Sequence, residues 1–166
     1  DKPALVMRLD MGNPYNDRRH RVMWAELQNR DEPLIGALEM DAACVVVNLF
    51  MLPDEPELFR QCVANIAATR AACSKYGMPL MIEPLVMQDN TNGGYMVDGN
   101  IDKILPLVRQ AVELGADIIK ADPCDDPTEY HRVIQIAQGV PVLVRGGGKV
   151  SDLEILSRTK VLMEQG

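Results

Sequence analysis

The chain has 166 residues, 47% apolar and 25% charged, with 17 Lys and Arg against 24 Asp and Glu for a formal net charge of −7. A net negative field excludes simple binding to nucleic acid or to an anionic membrane surface, because both need a surplus of cations facing phosphates. The apolar fraction is that of an ordinary globular domain, no stretch reaches the roughly 18–20 apolar residues of a membrane span, and the opening Asp1-Lys2-Pro3 has no leader-like apolar core. The expectation is a cytoplasmic protein whose four cysteines, Cys44, Cys62, Cys73 and Cys124, form no C-x-x-C pair and stay reduced.

In chain order, a strand is expected over 4–9 and a helix over 19–30. The helix opens near Arg18-Arg19-His20-Arg21, a cluster that is either a solvated helix start or a site for a phosphate or a neighbouring subunit. A second strand is expected over 44–50 and a helix over 55–76, with Asp54 as its N-cap. Gly77-Met78-Pro79 then leads into the apolar run Leu80-Met81-Ile82. The same pattern recurs at Gly115-Ala116-Asp117 before Ile118-Ile119 and at Gly139-Val140-Pro141 before Val142-Leu143-Val144. Each glycine is expected to close a helix in the left-handed conformation, and each apolar run to be a buried strand of a parallel sheet. Helices over 100–114, 127–138 and 151–165 complete the alternation, with Asn100 and Ser151 as N-caps.

The connection 86–99, with Asn90-Thr91-Asn92-Gly93-Gly94, is too polar for core and is expected to be a binding loop or a disordered insertion. Five strands alternating with five helices imply an α/β layer, either an open doubly wound sheet or part of a (β/α)8 barrel. Right-handed crossovers put the strands in sequential order. A complete barrel takes about 250 residues. The final Gly166 resembles the glycines that elsewhere introduce a strand, so 1–166 is expected to be one α/β domain carrying part of a barrel.

Ligands of parallel α/β folds bind at the carboxyl ends of strands, where this chain places Asp10, Asn48, Glu83, Lys120 and Arg145. Lys120 stands out because it follows Ile118-Ile119 directly and its stem is embedded in an apolar strand. Two readings stand. Desolvation or a nearby cation can leave a neutral amine that attacks a carbonyl, with Glu83 shuttling protons and Arg145 nearby; alternatively, Lys120 and Glu83 are a structural ion pair. Arg145-Gly146-Gly147-Gly148-Lys149 lies between a strand and a helix, where backbone N–H groups and the helix dipole suit a phosphate. It matches neither a P-loop nor a dinucleotide fingerprint, and a flexible turn is the competing reading. His20 and His131 lack metal-ligand spacing. Asp122, Asp125 and Asp126 resemble an acidic metal cluster, but Pro123 and Pro127 suit a loop and N-cap better.

The stretch Gly115-Ala116-Asp117-Ile118-Ile119-Lys120, followed by Val140 to Val144 and Arg145-Gly146-Gly147-Gly148-Lys149, resembles the archaeal-type class I fructose-bisphosphate aldolases. The resemblance implies a TIM barrel represented by its strands three to seven, without the first two and the last. It further implies a Schiff base on Lys120 and a phosphate-holding turn over Arg145, Gly146, Gly147, Gly148 and Lys149. Met81-Ile82-Glu83-Pro84-Leu85 is closer to the tagatose-bisphosphate and sulfofructose-phosphate aldolases, which implies a proton-transfer role for Glu83. The archaeal-type enzymes use a tyrosine nearby, where Leu85 or Val86 stands here. Asp10 is the remaining candidate for the carboxylate the family places opposite the lysine. The implied activity is a class I aldolase, cleaving or making a carbon–carbon bond in a phosphorylated keto-sugar, with no metal or other cofactor and as a homo-oligomer. A thiolase- or transaldolase-like transferase on the same scaffold, or a catalytically silent binding or assembly module, are the alternatives.

Overall fold

The computed structural model of the chain describes residues 3–13, 23–146 and 150–166. Five parallel strands make its centre: β1 (Val6–Arg8), β4 (Cys44–Met51), β5 (Leu80–Asp89), β7 (Ile118–Ala121) and β8 (Val142–Val144), in the order β1-β4-β5-β7-β8. Neighbours are therefore consecutive along the chain, as right-handed crossovers dictate. Helices α2 (Pro56–Tyr76), α3 (Ile101–Glu113), α4 (His131–Ile136) and α5 (Asp152–Met163) alternate with them. Among the described residues, no helix is long and apolar enough to cross a membrane.

The sheet buries its two faces differently. Val45, Val47, Leu80, Ile82, Ile119 and Ala121 form one main core with Leu58, Cys62 and Ile66 of α2 and Leu107 and Val108 of α3. Cys44, Val46 and Met81 make a separate small cluster with Ile118 on the opposite face. The register Val46↔Met81↔Ile118 places these residues in a row across three strands. Stepping by two along each strand leads from this row to Asn48, Glu83 and Lys120.

The local signals between strands behave as expected. Gly77, Gly115 and Gly139 have φ of 68°, 88° and 86°, closing helices in the left-handed region that a side chain disfavours. The Asn100 side chain accepts the Asp102 N–H, and Ser151 forms a reciprocal capping box with Glu154. Asp117 of the glycine pattern accepts the Leu80 N–H at 2.9 Å and pairs with Arg70 at 2.8 Å, so it ties the start of β7 to that of β5 and to α2.

Four expectations need correction. The helix over 19–30 does not form where it is described: Ala25–Leu27 is strand β3, antiparallel to β2 (Asp10–Gly12), because its buried, exposed, buried alternation is a strand period. The adjoining cluster Arg18-Arg19-His20-Arg21 lies outside the described residues, and the first helix among the described residues comes later and is short, α1 (Ile35–Glu39). Asp54 is not a cap; its φ is 59°, and Glu55 stands at the N-cap without a side-chain bond before Pro56 opens the helix. Residues 86–99 are not one long irregular connection: β5 continues to Asp89 and pairs antiparallel with β6 (Tyr95–Val97) across a turn over 90–94. The helix over 127–138 is split into a 3-10 turn, Pro127–Glu129, and α4.

Candidate active site

Side chains from successive strands converge where the small second face of the sheet approaches the carboxyl ends of its strands. Arg8 and Asp10 come from the first strand and its continuation, Asn48 from β4, Glu83 from β5, Lys120 from β7 and Asp122 from just past its end. Arg145 directly follows β8. A cavity of about 500 Å³ is lined by Arg8, Asp10, Asn48, Glu83 and Arg145 with Phe50 and Leu85. A second of about 370 Å³ is lined by Lys120 and Arg8 with Val6, Val46, Met81 and Leu143. Arg8 belongs to both.

Glu83 is the hub of the constellation. Only 4% exposed, it must be paired to remain charged. Its Oε1 lies 3.0 Å from Lys120 Nζ, and its Oε2 accepts from Arg8 Nη2. Arg8 Nη1 also reaches Asp10 Oδ1 at 3.2 Å. Asp10 is held by β4: Asn48 donates its backbone N–H at 2.8 Å to Oδ2 and its side-chain amide at 3.1 and 3.0 Å to the two carboxylate oxygens. Asp10 is thus joined to Lys120 through Arg8 and Glu83 rather than directly. Lys120 keeps about a third of its side chain exposed, at 35%, so the amine is reachable from the open side of the sheet.

Arg145 anchors the turn after β8. Its N–H donates to Ala121 O at 2.8 Å and its Nε to Asp122 Oδ1 at 2.7 Å. The Gly146 carbonyl accepts from Arg158 of α5 at 3.0 Å, and a side chain at Gly146 would meet no atom within 4 Å. Gly147, Gly148 and Lys149 lie outside the described residues. Burial pushes Asp122 up to about 6, against the lowering effect of Arg145 and of the Val86 N–H, while the charge of Glu83 raises it further. Burial also pushes the thiols of Cys62 and Cys73 up to about 12 and 11, which leaves them poor nucleophiles; all four cysteines are free.

Lys120, Glu83, Asp10 and Arg145 therefore meet on one face. Asn48, expected at a strand end, shares it, and so do Arg8, which the sequence does not single out, and Asp122, which the sequence groups with a loop. The signal for Arg8 and Asp122 was the period of two, Arg8-x-Asp10 and Lys120-x-Asp122, which puts each on the same side as an expected site residue. The acidic trio does not act as a unit: Asp126 caps the 3-10 turn through the Thr128 N–H at 2.9 Å, whereas Asp122 faces Arg145. Among the described residues no group of three or more His, Cys, Asp or Glu could hold a metal ion.

A lysine with a buried carboxylate at the mouth of a parallel sheet is the arrangement that comparison with known proteins bears on. The family model for DeoC/LacD family aldolases matches residues 1–166. The chain belongs to that family. It is 28% identical over 153 residues to an uncharacterized aldolase of Saccharolobus solfataricus, covering 92% of this chain and 54% of the relative. It is 33% identical over 85 residues to a class 1 fructose-bisphosphate aldolase of Thermoproteus tenax, covering 50% of this chain and 32% of that protein. An archaeal fructose-1,6-bisphosphate aldolase, solved with its catalytic lysine covalently bound to the carbinolamine intermediate, superposes with a TM-score of 0.75 at 22% identity. A Corynebacterium glutamicum protein does so with 0.74 at 15%. The DeoC/LacD chain has the TIM-barrel fold of these neighbours over the part it spans. It spans about half the length of the first curated relative and 60% of the first structural one.

Proposed function

We propose that the protein is a class I aldolase acting on a phosphorylated keto-sugar through an imine on Lys120. The observation that carries this reading is the 3.0 Å contact between Lys120 Nζ and the buried Glu83 at the carboxyl ends of parallel strands. The deprotonated amine of Lys120 adds to the substrate ketone, forming a C–N bond. Glu83 takes the proton that Lys120 sheds to become that amine, a proton of the adding nitrogen passes to the ketone oxygen as the C=O π bond breaks, and Glu83 then protonates the resulting hydroxyl, which leaves as water. The resulting iminium accepts the electron pair of the bond between its α and β carbons as that bond breaks, while a base removes the proton of the β-hydroxyl and an aldehyde leaves. Protonation of the enamine and hydrolysis of the imine then restore Lys120. Asp10, held on two sides by Asn48 and Arg8, is assigned as the carboxylate opposing the lysine.

Arg145, with Gly146, Gly147, Gly148 and Lys149, is assigned to the substrate phosphate. The Ser151 N–H at the start of α5 already donates to Glu154, so anion binding falls to the turn itself and to the Arg145 guanidinium. The iminium is the electron sink, which makes a metal or dissociable cofactor unnecessary. The reading includes a cytoplasmic location and a homo-oligomer. It also takes the chain as one α/β domain of a (β/α)8 barrel whose first two strands and last strand lie elsewhere in the protein. Val6 and Leu143, 44% and 49% exposed on the two outermost strands, support that placement.

The test is borohydride reduction of the full-length protein in the presence of dihydroxyacetone phosphate. A stable adduct is expected in the wild type and none in Lys120→Arg, whose guanidinium stays protonated and cannot form an imine. Absence of an adduct in the wild type overturns the reading in favour of a silent binding module.

A further inference from the structure

We propose that Asp122 is a positioning residue for Arg145, fixing its guanidinium at the cavity mouth for a substrate phosphate; this rests on the reading of Arg145 as a phosphate ligand. Asp122 follows Lys120 by two residues, so the strand period carries it onto the same face, one step nearer the mouth. It is 1% exposed and both its oxygens are engaged. Oδ2 accepts the Val86 N–H of the neighbouring strand at 3.1 Å, and Oδ1 accepts Arg145 Nε at 2.7 Å. The first bond comes from main chain in a paired strand and fixes the carboxylate. The second engages the guanidinium nitrogen nearest the backbone and so sets the plane of the group.

Arg145 is itself largely buried, with 18% of its side chain exposed. A buried guanidinium needs a counter-charge, and the carboxylates that line the cavity beside Arg145 are already engaged: Glu83 by Arg8 and Lys120, Asp10 by Arg8 and Asn48. Asp122 supplies that counter-charge to Arg145. It also presents an arginine already ordered, so less freedom is lost when an anion binds. Its role is reached only through Arg145, which distinguishes it from Lys120 and Glu83.

The experiment measures the concentration dependence of borohydride trapping in the full-length protein with two probes, dihydroxyacetone phosphate and dihydroxyacetone. Asp122→Asn keeps the size of the side chain and an acceptor for the Val86 N–H but loses the charge. The half-saturating concentration of dihydroxyacetone phosphate is expected to rise about tenfold, the scale of one weakened charge-assisted hydrogen bond. That of dihydroxyacetone should change less than about twofold. In an Arg145→Gln background, where phosphate affinity is already reduced, Asp122→Asn should add nothing. Equal loss for both probes, or an undiminished effect of Asp122→Asn without Arg145, makes Asp122 a structural residue and overturns the proposal. If Arg145→Gln weakens the phosphorylated probe but Asp122→Asn does not, positioning by Asp122 is wrong while the phosphate assignment stands. If Arg145→Gln changes neither probe, the phosphate assignment itself fails.

Discussion

Ile119 and Lys120 are neighbours in the chain and occupy different worlds. Ile119 is fully buried in the main core beneath the helices, and Lys120 stands on the opposite face with its amine against Glu83. The same division runs across the sheet: Val45, Val47, Ile82 and Ala121 belong to the main core, while Val46, Asn48, Glu83 and Asp122 share the face of the lysine. Period-two alternation therefore lets one strand serve packing with one set of residues and chemistry with the other. The helix-covered face can be apolar throughout, because nothing there must touch a ligand. The other face carries charge where its apolar cluster of Cys44, Val46 and Met81 gives out towards the strand ends.

Substitutions on the two faces should therefore fail in different ways. The largest effect is expected for Lys120→Arg in the full-length protein. Steady-state turnover should fall by several orders of magnitude, on the scale that nucleophilic catalysis supplies, while the denaturation midpoint moves little because the ion pair is partly exposed. Glu83→Gln should slow turnover by about 10²–10⁴-fold through lost proton transfer and still permit borohydride trapping. Ile119→Ala should cost about 2–5 kcal/mol of stability in urea titrations and leave trapping at Lys120 intact in the molecules that remain folded. Equal loss of adduct in Ile119→Ala and Lys120→Arg would mean that the faces are not separable.

Two smaller effects sharpen the division. Asp122 holds its proton at about 6 in the fold, against an ordinary 3.8. Its proton is bound more tightly in the folded than in the unfolded chain. The resulting stabilisation is full below the ordinary value and is lost as pH rises through about 6. Urea midpoints from pH 4 to 7 should show that decline, on the order of 1–3 kcal/mol, and Asp122→Asn should remove it. A decline unchanged in the variant would place the titrating group elsewhere. Ser151→Ala should cost about 1 kcal/mol through loss of the α5 capping box, with trapping unaffected.

What the sequence made legible was whatever is written locally. The glycines that close helices before β5, β7 and β8 and the caps at Asn100 and Ser151 each depend on a few adjacent residues, and the structure holds them as read. The antiparallel pairing of β2 with β3 is not legible because both strands are only three residues long. β6 was missed because its polar turn dominates the composition of 86–99. Arg8 was passed over for a different reason: a charged residue near a chain end reads as surface, and its partner Glu83 lies 75 positions away. Only the parallel register of β1, β4 and β5 brings the two together. Asp122 was read with Asp125 and Asp126 as one acidic loop, when the strand period separates it from both.

The most direct measurement locates the covalent adduct. The full-length protein is reduced with borohydride in the presence of dihydroxyacetone phosphate, digested, and the modified peptide sequenced by mass spectrometry. The expected result is a single modified lysine, Lys120, on the face opposite Ile119. Modification at Lys149 or another lysine instead, or no modification at all, would contradict the assignment of the chemistry to this face of the sheet.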